Sequence, residues 1–132
     1  MIRLPGERYL MQLRDQKPEI WYPGCWGCFG GSLDGNEDAL SGLRRELYEE
    51  LELRVGDARQ LARMDFDFAA VGMGKAFRTY YLVEIDDAAL LRLVLHEGQR
   101  MQALSYLELV SGIPVVPYDA FALHLVHGRI GV

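Results

Sequence analysis

Leu40, Leu43, Leu47 and Leu51 recur at the spacing of one helical face, a pattern that an amphipathic helix turns into a single apolar stripe. The stripe commits residues 38–51 to a helix docked on a core. Asp38 suits its N-cap, because a carboxylate there accepts from the first free backbone N–H groups. The flank beside the stripe is harder to explain by folding. Glu46, Glu49 and Glu50 stand at i, i+3 and i+4, and Glu52 follows them. Each like-charged pair at that spacing costs roughly 0.2–0.5 kcal/mol, and negative charge near a helix C-terminus opposes the macrodipole. One reading is a solvated acidic face, relieved by Arg44, Arg45 and Arg54. The other is a platform for a hard divalent cation such as Mg²⁺, which prefers carboxylates, carbonyls and waters and also binds phosphates. Two details favour the platform. Gly42 lies on the acidic flank one turn before Glu46, where a missing side chain permits the close approach of another backbone, and the glycine-rich loop before the helix is best placed to make it. Arg45, at i−4 from Glu49, can hold that carboxylate by a charge-assisted pair.

The rest of the chain bounds the fold. Its 132 residues are enough for one domain with one core, without disulfides or structural metal. Glu7–Asp15 reads as a first strand, with Tyr9, Met11 and Leu13 alternating against Arg8, Leu10 and Gln12. A proline-bearing loop leads to a short apolar stretch at Cys25–Phe29. Residues 63–70 alternate with Met64, Phe66 and Phe68 on one face, and the glycines of residues 71–76 suggest a hairpin into a return strand at 75–85 that places Arg78 beside Tyr80. A loop or short helix, a strand at 99–104, a helix capped by Ser105 and a last helix from about Asp119 to His127 complete the pattern. Strands and helices interspersed in this way predict an α/β or α+β sandwich, a mixed sheet flanked by helices.

Composition excludes some functions. A net charge of −5 argues against gripping duplex nucleic acid, which rests on Lys and Arg at phosphates. The apolar runs are too short for a membrane span and the N-terminus lacks a secretory segment, so a cytoplasmic location is expected. Cys25 and Cys28 have C-x-x-C spacing, as in half of a zinc site or a redox pair, which His124 and His127 could complete. No second cysteine pair and no β-α-β pattern accompany them, and ordinary half-buried thiols are the competing reading.

The segment from Gly31 to Leu53 resembles the Nudix box, G-x5-E-x7-R-E-U-x-E-E-x-G-U with U aliphatic. Gly31, Glu37, Arg45, Glu46, Leu47, Glu49, Glu50 and Leu53 match it position by position. Glu52 stands where the pattern has its last glycine. The Trp26–Gly31 stretch and the late segment from Glu97 to Leu109 resemble the family more weakly. The resemblance implies the Nudix α/β/α sandwich over one domain, residues 1–132, and Mg²⁺-dependent (or Mn²⁺-dependent) hydrolysis of a nucleoside diphosphate linked to another group. It makes Glu49 and Glu50 metal ligands, Glu46 a ligand or the base, and Gly31 a carbonyl ligand. Arg45 then orients the glutamates, Glu37 supports the loop, and Glu97 is a second candidate base. It also carries an expectation of a homodimer.

Substrate recognition is expected outside the box. Arg14, Arg78 and Tyr80 could contact phosphate or ribose, and Trp21, Tyr22 and Trp26 could stack on a base or sugar, with ordinary packing as the competing reading for each aromatic. A nucleoside diphosphate sugar and a nucleoside triphosphate both remain open. An alternative is a catalytically silent Nudix module that binds a nucleotide or a partner as a sensor, supported by Glu52.

Overall fold

The computed structural model describes residues 1–130. Six strands form a mixed sheet: β1 (Ile2–Leu4), β2 (Arg8–Leu13), β3 (Trp26–Gly27), β4 (Arg59–Asp67), β5 (Lys75–Glu84) and β6 (Arg100–Ser105). β1 lies antiparallel to β2 and parallel to β5, and β5 pairs antiparallel with β4. Along its other edge β2 pairs with β6, and its C-terminal end also meets β3. Among the described residues there are four α-helices, α1 (Ala39–Leu51), α2 (Asp87–Leu90), α3 (Tyr106–Val110) and α4 (Pro117–Ile130), and a 3-10 turn at Ala69–Val71.

The strand read as the first is the second. Ile2–Leu4 precedes it, joined by a tight turn in which Gly6 and Glu7 both have positive φ. Three residues carry too short a pattern to register as a strand, and partners on both sides stabilise them. Nor is β2 half-buried: Tyr9, Leu10, Met11 and Gln12 are all buried, because helices cover both faces of the sheet. The alternation expected for β4 is real, and it brings Phe66 and Phe68 into parallel stacking at 5.5 Å.

The leucine stripe behaves as the spacing predicts. Leu47 and Leu51 pack with Ile2, Leu10, Phe29 and Val83 on one face of the sheet. Burying each leucine side chain contributes about 2 kcal/mol. On the opposite face Leu109 of α3 and Ala122, Leu123 and Val126 of α4 pack over Tyr9 and Met11. The architecture is therefore a mixed sheet between helical layers. Asp38 caps α1 by accepting from the Ser41 N–H at 2.9 Å. Ser105 and Glu108 form a reciprocal capping box on α3. α4 starts two residues earlier than expected, with Pro117 at its first position, where a missing N–H costs nothing.

α1 ends on Glu52, which is left-handed (φ 55°, ψ 26°). Its N–H donates to the Tyr48 carbonyl at 2.8 Å, and that of Leu53 donates to Leu47 at 3.2 Å. This is the closing turn that glycine makes most easily. Glu52, where the resemblance expects glycine, keeps the conformation that glycine would supply.

Candidate functional site

The site is assembled where the loop before α1 folds back along the helix. Gly42 permits this. A Cβ on it would lie 2.5 Å from the Leu33 side chain and 3.1 Å from the Glu37 carboxylate, so the approach is made by side chains of the loop.

Arg45 gathers the acidic groups. Its Nη2 donates to Glu37 at 2.6 Å and to the Ser32 carbonyl at 2.9 Å. Its Nη1 donates to Glu46 at 2.7 Å and, more distantly, to Glu49 at 3.3 Å. The planar fork thus ties one loop carboxylate and one loop carbonyl to two helical carboxylates, which a lysine could not do with the same geometry. The hydrogen bond from Arg45 and the backbone N–H of Asp34 hold the Glu37 carboxyl below its ordinary range.

Glu50 lies deeper than its neighbours, 4% exposed, and accepts from the Gly30 N–H at 3.0 Å. Burial, with the nearby charge of Glu97 and then of Glu46, pushes its pKa up to about 8. Glu97 reaches it through a built loop. The His96 N–H donates to the Glu50 carbonyl at 2.9 Å, and the Gln99 N–H to the Leu13 carbonyl at 2.8 Å. Buried Gln12 donates its amide to the Glu97 carbonyl at 2.9 Å. Gly98 (φ +88°) packs so tightly on Gln12 that a Cβ would meet its side chain at 2.6 Å. The charges of Glu97 and Glu46 thus both act on Glu50.

The donor types here, carboxylates and a nearby loop carbonyl, are those a hard cation takes. A Cβ on Gly31 would sit 2.5 Å from a Glu46 oxygen, so only glycine brings the loop backbone this close to that carboxylate. Glu46 keeps its second oxygen on that side while the first engages Arg45. Among the described residues no three acidic, histidine or cysteine side chains are grouped so that they could hold a metal ion as they stand. In this arrangement Arg45 holds oxygens of Glu46 and Glu49.

The substrate positions divide. Arg14 and Arg78 are partly exposed. Arg14 donates from Nε to the Trp21 carbonyl at 2.8 Å, and its charge acts on both Glu50 and Tyr118. Arg78 lies 3.9 Å over the Tyr118 ring and donates to its hydroxyl at 2.8 Å. Trp26 and Tyr80 are core residues, each 6% exposed, and this corrects their assignment as substrate contacts. Tyr80 gives its hydroxyl proton to Asp119 at 2.8 Å. Trp26 belongs to the core cluster, with Arg100 above its ring. Alternation places residues on a face without telling whether that face is covered.

Asp119 escapes sequence reasoning, because an aspartate in a first helical turn reads as a cap. It is buried beneath β3 and accepts from the Cys28 N–H at 2.9 Å as well as from Tyr80. Burial raises its pKa, against the pull of those two hydrogen bonds. Cys25 and Cys28 are both free thiols, and burial raises the pKa of Cys28. His124 meets the Tyr106 hydroxyl at 2.5 Å, and His127 stacks on the Tyr106 ring. No described helix is long and apolar enough to cross a membrane.

The fold recurs in solved structures. The chain aligns over 94% of its length with 97% of the MutT NUDIX hydrolase from Burkholderia pseudomallei, at 22% identity and a TM-score of 0.71. It aligns over 98% with 83% of the NUDIX domain of Shewanella oneidensis NrtR, complexed with ADP ribose, at 14% identity and a TM-score of 0.77. A C. elegans Ap4A hydrolase in a binary complex is matched over 98% of this chain and 91% of that one, at 15% identity and a TM-score of 0.72. No protein-family model and no curated protein matches the sequence. At these identities the likeness establishes the fold: a mixed sheet flanked by helices, as in Nudix-fold proteins.

Proposed function

We propose that this chain is a Mg²⁺-dependent pyrophosphohydrolase acting on a nucleoside diphosphate linked to another group, of the nucleoside diphosphate sugar or nucleoside triphosphate type. The observation that carries the reading is the Arg45 fork, which joins Glu37 and Ser32 of the loop to Glu46 and Glu49 of the helix. An acidic face needed only for solubility has no use for such a clamp, or for a glutamate buried beside two others.

Glu50, Glu49, Glu46 and the Gly31 carbonyl would hold the cation. When bound, it supplies charge neutralisation of the diphosphate and Lewis acidity toward water and phosphorus. Arg45 fixes the glutamates before substrate arrives, so that little reorganisation remains. Glu46 or Glu97 accepts the proton of the attacking water at a carboxylate oxygen. Arg14, between the acidic site and Tyr118, pairs with a substrate phosphate.

A panel of nucleoside triphosphates, nucleoside diphosphate sugars and dinucleotides, incubated with Mg²⁺ and resolved by product, tests the proposal. Cleavage of a phosphoanhydride bond that Glu49→Gln abolishes supports it. Full recovery of every substrate, or turnover that survives in Glu49→Gln, refutes it.

A further inference from the structure

The loop between β2 and β3 carries two large aromatic rings that the proposed chemistry does not use. Trp21 and Tyr22 are each 42% exposed. Trp21 packs nearly perpendicular to Phe68 at 6.1 Å, and Tyr22 nearly perpendicular to Tyr118 at 5.7 Å. Phe66 stacks on Phe68 and lies 6.0 Å from Tyr118. Five rings thus run in a chain of contacts, Trp21, Phe68, Phe66, Tyr118 and Tyr22, linking this loop, the end of β4 and the start of α4. Arg78 lies over the Tyr118 ring.

The loop is preformed. Arg14 N–H donates to the Cys25 carbonyl and Gly24 N–H to that of Asp15, extending the β2–β3 pairing into the loop. The Gln16 side chain fills the space where a Cβ of Gly24 would be. Tyr22 itself is left-handed, with φ +52°. That backbone is costly for a non-glycine residue and marks sites where orientation matters more than local stability. A loop needing only an anchor would bury its aromatics fully. This one adopts a strained backbone and keeps a tryptophan and a tyrosine, consecutive in the chain, each 42% exposed. It is joined to the acidic site through Arg14, whose Nε holds the Trp21 carbonyl.

We infer that Trp21 and Tyr22 form the platform on which a planar nucleobase stacks, with Arg14 taking the phosphate that leads from the nucleoside to the acidic site. The inference rests on the hydrolase reading for the phosphate end alone. Base stacking on an aromatic side chain is strong and tolerant of base identity, so the platform selects for a base over none more than for one base over another. Arg78 and Tyr118 back the platform and give its rim a positive charge.

Equilibrium dialysis tests this without turnover. In buffer containing Mg²⁺, AMP, GMP, CMP and UMP are each compared with base-free ribose 5-phosphate, using the wild type and the Trp21→Leu and Tyr22→Leu variants. Leucine retains apolar bulk for loop anchoring and removes the π face. Expected is at least about a tenfold preference for a monophosphate with a base, cut severalfold or more in each variant, with melting temperatures close to wild type. For any nucleotide that is hydrolysed, KM rises in the variants while kcat changes little. Equal binding of nucleotides and ribose 5-phosphate overturns the inference, as does an undiminished preference in both variants. A base preference that the variants lose, in a protein that cleaves none of the panel substrates, upholds the platform and refutes the hydrolase.

Discussion

The Arg45 guanidinium and the Glu37 carboxylate meet at 2.6 Å across eight residues of chain, one from the helix and one from the loop before it. The contact fixes loop to helix while the same guanidinium holds Glu46. Arg45→Lys keeps the charge and loses the fork, so the three-way tie cannot be rebuilt. Loss of an orienting partner of this kind typically costs about 10–100-fold in activity or metal affinity. The expected result is a fall in kcat/KM of that size with a modest loss of stability, measured by steady-state kinetics and thermal melting. Wild-type kinetics in Arg45→Lys would show the clamp to be dispensable.

Gly31 gives a cleaner separation of activity from stability. Its φ is not left-handed, so alanine brings no backbone strain. Its new Cβ would fall 2.5 Å from the Glu46 carboxylate. That carboxylate is the end of a flexible chain and can move aside cheaply, at the expense of its position. Gly31→Ala should therefore melt within a few degrees of wild type and lose about 100-fold in kcat, the usual consequence of a misplacement near 1 Å. A variant that unfolds, or one that turns over normally, contradicts this placement of Glu46.

Much of the site was legible because its parts lie close along the chain. The helix, its Asp38 cap and the converging glutamates follow from spacings of three, four and seven residues, whereas Gly42, expected to admit a backbone, admits the Leu33 and Glu37 side chains instead. Two contributors, Gln12 and Asp119, were not legible, and Glu97 was named only through the resemblance. Gln12 and Glu97 meet only because β2 and the loop before β6 lie together, 85 residues apart. Asp119 reaches Cys28 across 91 residues, and nothing in its own neighbourhood distinguishes it from a cap. Trp26 and Tyr80 failed for the converse reason: their types suit binding, and only the covering helices show that they are core.

Glu52 tests whether a glutamate at the left-handed helix exit matters. A left-handed non-glycine residue costs about 1–2 kcal/mol, partly offset by the greater entropy that glycine gives the unfolded chain. Its exposed contact with His96 at 3.5 Å contributes little. Glu52→Gly should raise the melting temperature by about 2–4 °C and leave kcat/KM within twofold. A lower melting temperature would mean that the Glu52 side chain stabilises the helix exit through contacts beyond its backbone.

Asp119 offers a pH signature away from the acidic site. Its folded pKa is raised from the ordinary 3.8, with burial the largest cause, so the native state holds this proton more tightly than the unfolded chain does. Between the unfolded and folded values stability therefore falls as pH rises, and above the folded value the cost of a buried charge is fully present. Asparagine can still accept from the Cys28 N–H and donate to the Tyr80 oxygen, while removing the charge. Asp119→Asn should thus melt at or above the wild-type temperature at neutral pH. That advantage should shrink as pH falls through the folded pKa and wild-type Asp119 becomes neutral. Melting curves of both proteins from pH 4 to pH 8 give the difference directly, and the other carboxylates largely cancel in it. Should the asparagine variant instead lose stability at neutral pH and recover it in acid, Asp119 is a carboxylate whose hydrogen bonds outweigh its burial, and the sign assigned to it is wrong.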